Sequence, residues 1–160
     1  MALCKIGAVA IPATHMLTAS DIVYRNRRAS VKAIICVNDE YVTTQVREAM
    51  SESPTVEVLV AVNALAQKDC PVAEGFHDWF AEWEKAPAFV RPEEVNVNED
   101  TMLMYFTSGT SGEPKMVAHD HLYALGHLIT GVFWHNLDED SVHLTVADTG
   151  WGKAVWGKLY

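Results

Sequence analysis

The chain has 160 residues, 12 Lys and Arg against 21 Asp and Glu, a net charge of −9 and 49% apolar residues. That length and apolar fraction suit one folded domain and exclude wholesale disorder. The acidic balance excludes a nucleic-acid-binding surface, because the only tight basic run is Arg25-Asn26-Arg27-Arg28. Cys4, Cys36 and Cys70 share no metal-ligand spacing, which favours a reduced, cytoplasmic protein.

Apolar runs alternate with segments of helical period. Gly7 to Ile11, closed by Pro12, predicts a strand entering a loop, and Thr18 or Ser20 can cap a following helix through Ile22, Val23 and Tyr24. The β-branched run Lys32 to Val37 predicts a strand covered on both faces, as in parallel sheets. Tyr41 to Met50 has helical composition, Pro54 marks the turn out of it, and Val56 to Val62 repeats the strand pattern. The expected fold class is therefore α/β, with βαβ units and a mainly parallel sheet flanked by helices. Phe76, Trp79, Phe80 and Trp83 recur at helical spacing and predict one packed face of a short helix. Residues 86–100, with Pro87, Pro92 and a run of acids, read as a solvated linker. The expected organisation is a first α/β portion over residues 1–85, the linker over 86–100, and a further portion over 101–160.

Chemistry concentrates in the third portion. Leu103 to Phe106 predicts a strand that runs into Thr107-Ser108-Gly109-Thr110-Ser111-Gly112-Glu113-Pro114-Lys115. Glycines let backbone N–H groups turn toward an anion, hydroxyls donate to phosphate oxygens, and a Lys supplies a compact positive charge. Pro114 stiffens the exit. A Walker A loop is excluded, because Gly109 and Gly112 are separated by two residues and Lys115 does not follow Gly112 directly.

The stretch from Tyr105 to Lys115 resembles the phosphate-binding signature of the adenylate-forming, AMP-binding enzymes, which include the acyl-CoA synthetases. Met116, where most of that family has Gly, is similar to the medium-chain acyl-CoA synthetase branch. Ala147-Asp148-Thr149-Gly150-Trp151 resembles a segment of the same branch and of the acetyl-CoA synthetases, as does the early Gly7-Ala8-Val9-Ala10-Ile11-Pro12. The resemblance implies an ATP-dependent ligase that forms an acyl-adenylate and then a CoA thioester, using ATP, Mg²⁺ and CoA and a small carboxylic acid. It implies that residues 107–115 hold the β- and γ-phosphates and that Trp151 lies near the acyl group.

The resemblance also implies what lies outside this chain. The family's adenine motif, ribose-binding Asp and C-terminal lid with its catalytic Lys are not in the sequence. A partial N-terminal domain, inactive by itself, is the expectation; a non-catalytic phosphate-binding α/β module is the alternative.

No metal site is expected. His119 and His121 sit at the entry and first turn of a helix that Asp120 would cap, and His127 and His135 do not converge on it. His119 follows the loop closely enough to lie near a nucleotide. Val142 to Val146 predicts a further strand. The apolar stretch from Leu122 to Trp134 falls short of the ~20 residues a membrane span needs, so neither a membrane nor a nucleic acid is an expected partner.

Overall fold

Short β-branched runs separated by amphipathic helices leave the chain little choice but parallel pairing, and the computed structural model shows it. It describes residues 2–108, 112–152 and 154. The elements in order are α1 (Ala2–Lys5), α2 (Ala19–Ala29), β1 (Ala33–Val37), α3 (Glu40–Ala49) and β2 (Val58–Val62). Then come β3 (His77–Asp78), α4 (Trp79–Lys85), β4 (Thr101–Thr107), β5 (Lys115–Asp120) and α5 (Tyr123–Gly126). The chain divides into two compact units, His15–Phe89 on one side and Met1–Thr14 with Val90–Tyr160 on the other.

In the first unit β1, β2 and β3 form a parallel sheet in that order, with Ala33 opposite Val58 and Val60 opposite His77. The α/β class with a parallel sheet and flanking helices is thus observed. Thr18, not Ser20, caps α2. The Thr18 hydroxyl accepts from the Asp21 N–H and the Asp21 carboxylate accepts from the Thr18 N–H, a reciprocal box that satisfies two end groups. The Thr18 hydroxyl also donates to that carboxylate, which holds Asp21 below the usual carboxylate range. Asp39 caps α3 by accepting from the N–H groups of Tyr41 and Val42.

Packing joins these elements. Ile22 of α2, Val46 and Ala49 of α3, Ala61 of β2 and Phe76 form the buried centre, with Ile34, Cys36 and Leu59 against it. Asn26, buried within α2, donates from Nδ2 to Ser53 Oγ at 3.0 Å, and Ser53 Oγ donates to the Ala49 carbonyl at 2.8 Å. That relay ties α2 to the end of α3 across the core. Beyond the strands, Asn38 and Asn63 fasten the loop that follows β2: Asn38 Nδ2 donates to Asn63 Oδ1 and Asn63 Nδ2 to the Cys70 carbonyl, each at 2.7 Å.

Two expectations need correction here. β1 is not covered on both faces: Ile34 and Cys36 point into the core, whereas Ile35 and Val37 are 49% and 53% exposed. A continuous β-branched run satisfies strand geometry whether one face or two is covered, so the run alone could not separate the cases. The aromatic stripe also divides. Asp78 caps α4 through the N–H groups of Phe80 and Ala81, so the helix starts at Trp79. Phe76 enters the core from the preceding turn, while Trp83 is 68% exposed beside Trp79.

The second unit is built on an antiparallel pair. β4 pairs with β5 from Thr101 opposite Asp120 to Thr107 opposite Lys115. Met102, Leu103 and Tyr105 are buried against Cys4, Ala10 and Tyr123. The early apolar run supplies one bridge to this pair instead of a full strand: Ala10 N–H donates to the Met102 carbonyl and Met104 N–H to the Ala10 carbonyl. Residues 142–146 are not a strand. No ladder partner reaches them among the described residues, and Val142 is fully exposed, at 100%.

Two expected outcomes follow from this packing. Asn26→Ala leaves the Ser53 hydroxyl without its buried donor and lowers unfolding free energy by about 1–3 kcal/mol in urea titrations. Burial pushes the Cys36 thiol up to about 11, so iodoacetamide at pH 8 modifies exposed Cys70 well before Cys36, as peptide mass mapping will show.

Candidate phosphate-binding site

The hydroxyl-rich stretch is the sequence between the paired strands β4 and β5. β4 delivers Thr107 and Ser108 into the turn, and β5 begins at Lys115. Antiparallel register puts Thr107 and Lys115 directly opposite one another, with the Thr107 hydroxyl 3.4 Å from the Lys115 carbonyl it donates to. A hydroxyl and an ammonium group therefore flank the mouth of one turn, although they are eight positions apart in sequence. Thr107, Ser108, Gly112, Glu113 and Lys115 are exposed and Pro114 is half-buried. Gly109, Thr110 and Ser111 lie outside the described residues.

Local conformation explains the turn composition. Gly112 has φ +113°, a region that side chains with a Cβ rarely adopt, yet a Cβ there would meet nothing within 4 Å. Its requirement is set by backbone torsion, not by crowding. The exposed hydroxyl residues Thr107 and Ser108 and the cationic Lys115 are of the kinds that could hold an anion. Glu113 beside it is an acid in the same turn and directs no donor at a phosphate.

β5 was not anticipated. Residues 116–120 were expected to lead into a helix capped by Asp120. Instead they complete the ladder, and Asp120 Oδ1 accepts from the Leu122 N–H at 3.0 Å in the turn after the strand. Helical residues begin only at Tyr123, and a π-helical turn follows at Thr130–Trp134. The pairing energy of β4 decides this: six partner positions on an apolar strand outweigh weak local preferences.

His119 sits four residues along β5 from the mouth, about 13 Å at the usual strand rise. Its ring lies 3.9 Å from that of Tyr123, which in turn meets His127 edge-on at 4.8 Å, and Tyr105 lies 6.1 Å away on the other side. His119 thus joins an aromatic column that packs α5 on the hairpin. Burial holds the His127 imidazole below its usual value. Among the described residues no three His, Cys, Asp or Glu side chains come together as a metal site would need.

Trp151 is carried by a separate turn and is 70% exposed. Asp148 Oδ1 accepts from the Gly150 N–H at 2.8 Å and Asp148 Oδ2 accepts from the Thr14 hydroxyl at 2.9 Å. The Thr149 hydroxyl donates to the Ala13 carbonyl at 2.8 Å. Thr14 was not singled out in the sequence; separated from Asp148 by 134 positions, it carries no local signal of this partnership.

A segment rich in hydroxyls and glycines, closed by Lys, thus joins two antiparallel strands of an α/β chain. The AMP-binding enzyme family matches residues 1–159, and the chain belongs to that family. It is similar to the mitochondrial acyl-coenzyme A synthetase ACSM5 of Mus musculus, 32% identical over 157 residues that cover 98% of this chain and 26% of the relative. Mitochondrial acyl-coenzyme A synthetase ACSM3 of Mus musculus is 29% identical over 164 residues, covering 100% of this chain and 26% of that one. An acyl-CoA synthetase from Brucella canis shares the fold at a TM-score of 0.75, with 20% identity over 96% of this chain and 26% of its own. The chain therefore spans about a quarter of the length of the curated relatives it matches.

Gly112→Ala tests the turn geometry. The positive φ predicts a loss of roughly 1–2 kcal/mol in hairpin stability, seen as faster amide exchange along Lys115–Asp120.

Proposed function

We propose that this chain is part of the N-terminal AMP-binding domain of an ATP-dependent, AMP-forming acyl-CoA synthetase. Its parts are a first α/β portion (1–85), a linker (86–100) and a phosphate-loop portion (101–160). The observation that carries the proposal is the hairpin turn over residues 107–115, with Thr107 set opposite Lys115 in a chain of the AMP-binding family. The relatives named as acyl-coenzyme A synthetases supply the reaction class.

In that reaction a carboxylate oxygen attacks the α-phosphorus of ATP, the bond to the β-phosphate oxygen breaks, and pyrophosphate leaves. The CoA sulfur then attacks the acyl carbonyl, loses its proton, and AMP departs. This chain's residues serve the first step. The hydroxyls of Thr107, Ser108, Thr110 and Ser111 and the backbone N–H groups at Gly109 and Gly112 hold the β- and γ-phosphates of ATP. Pro114 limits the freedom of the turn, Glu113 occupies its solvent side, and Lys115 offsets phosphate charge. Such positioning and neutralisation supply most of the catalysis in phosphate chemistry.

Mg²⁺ takes oxygen ligands and keeps waters, so neutral hydroxyls beside a triphosphate fit it better than a dedicated protein cage would; bound there, it would neutralise the leaving pyrophosphate. Trp151, held on its turn with its ring exposed, is assigned to the acyl side. The catalytic Lys of the lid is assigned to a part of the enzyme beyond this chain. The free cysteines fit a reducing compartment such as the cytoplasm. Among the described residues no helix is long and apolar enough to cross a membrane.

The whole polypeptide that carries this chain is expected to catalyse carboxylate-dependent ATP–pyrophosphate exchange, and Lys115→Ala to raise the KM for ATP by about tenfold. The 160-residue chain alone is expected to give none. Saturable ATP binding by the whole polypeptide without exchange for any carboxylate would instead identify a phosphate-binding module.

A further inference from the structure

The turn at residues 148–150 and the hairpin that carries the phosphate loop are joined by a short piece of chain. Residues 10–14 run between them. At one end, Ala10 bridges β4 through two backbone hydrogen bonds, Ala10 N–H to Met102 at 3.0 Å and Met104 N–H to Ala10 at 2.9 Å. At the other end, Ala13 and Thr14 receive the turn: Thr149 Oγ1 donates to the Ala13 carbonyl, and Thr14 Oγ1 donates to Asp148 Oδ2. The second carboxylate oxygen of Asp148 closes its own turn by accepting from the Gly150 N–H.

Gly150 shows how closely the two backbones meet. A Cβ at that position would lie 2.8 Å from Thr14 N and 3.3 Å from the Ala13 carbonyl carbon, both backbone atoms that cannot swing away. Glycine is required here by contact and not by torsion, the reverse of Gly112. Each carboxylate oxygen of Asp148 is thus matched to a donor on a different segment, and a charged acceptor makes the stronger kind of hydrogen bond.

We propose that Asp148 is a positioning residue for the phosphate loop, acting through Thr14 and residues 10–14 on β4, whose far end delivers Thr107 into the turn. The same clamp fixes the turn that carries Trp151, because the Trp151 N–H donates to the Asp148 carbonyl at 3.0 Å. The acyl-side aromatic and the phosphate loop thereby share one reference segment. The link to nucleotide rests on the function proposed above; the clamp itself does not.

Carboxylate geometry sets the test. In Asp148→Asn the amide oxygen still accepts from Gly150 N–H while the amide N–H donates to the Thr14 hydroxyl, so the variant keeps wild-type behaviour within about twofold. Asp148→Ala loses both bonds and raises the Kd for ATP with Mg²⁺ about tenfold. It also speeds amide exchange at Ala10 and Met104 by a similar factor. Thr14→Val acts in the same direction, and added to Asp148→Ala it changes nothing further.

If the Asp148 carboxylate instead touched a ligand directly, Asn would be as damaging as Ala and Thr14→Val would be silent; that pattern overturns the proposal. Unchanged exchange at Ala10 and Met104 in folded Asp148→Ala overturns it as well, and Thr14→Val carries the same measurement should Asp148→Ala not fold. Faster exchange in a protein whose wild type binds no ATP would support the clamp and remove the assigned function.

Discussion

The placement of Thr107 against Lys115 depends on one antiparallel ladder. Without β5, residues 108–114 would be an exit from a strand with one end free, and Lys115 could lie anywhere the chain allowed. With β5 paired, Thr107 and Lys115 are held at the separation of directly opposed residues, within about 5.5 Å between Cα atoms. Both ends of the turn are therefore fixed before any ligand arrives.

That ladder is itself anchored from inside. Met102, Leu103 and Tyr105 of β4 are buried, and the ring column from Tyr105 through His119 and Tyr123 to His127 covers the base of the hairpin. Burial is concentrated at the end away from the turn, while Thr107, Ser108, Gly112 and Lys115 stay exposed. The apolar half supplies rigidity, and the described polar residues of the other half stay open to solvent. An overall charge of −9 does not oppose this, because charges more than about 8 Å away are largely screened at physiological salt and the group nearest the turn's base is a cation.

Period and composition made the first unit legible. The run Lys32 to Val37, the cap at Thr18 and the strand at Val58–Val62 are local signals, and local signals are what a single sequence carries. The loop stood out for a different reason: its mixture of glycine, hydroxyl and Lys carries the family resemblance, and the chain matches the AMP-binding enzyme family. β5 was hidden because Met116-Val117-Ala118 has no alternation, and its strand character comes from β4, not from itself. Residues 142–146 erred in the opposite sense, alternating as a strand should while no partner reaches them among the described residues. Pairing is a property of two segments, and one segment's pattern can neither guarantee nor forbid it.

The same distinction separates the glycines. Gly112 and Gly150 look equivalent in the sequence, each following a hydroxyl residue near a turn. One is needed because its backbone adopts φ +113° in open space; the other because a neighbouring backbone stands 2.8 Å from where its Cβ would be. Strain of the first kind is confined to the turn that bears it. Crowding of the second kind couples positions 13–14 to 148–150, and through Ala10 it reaches β4. A substitution at Gly150 therefore acts on the hairpin from the far end of the chain, by displacing the segment on which β4 rests.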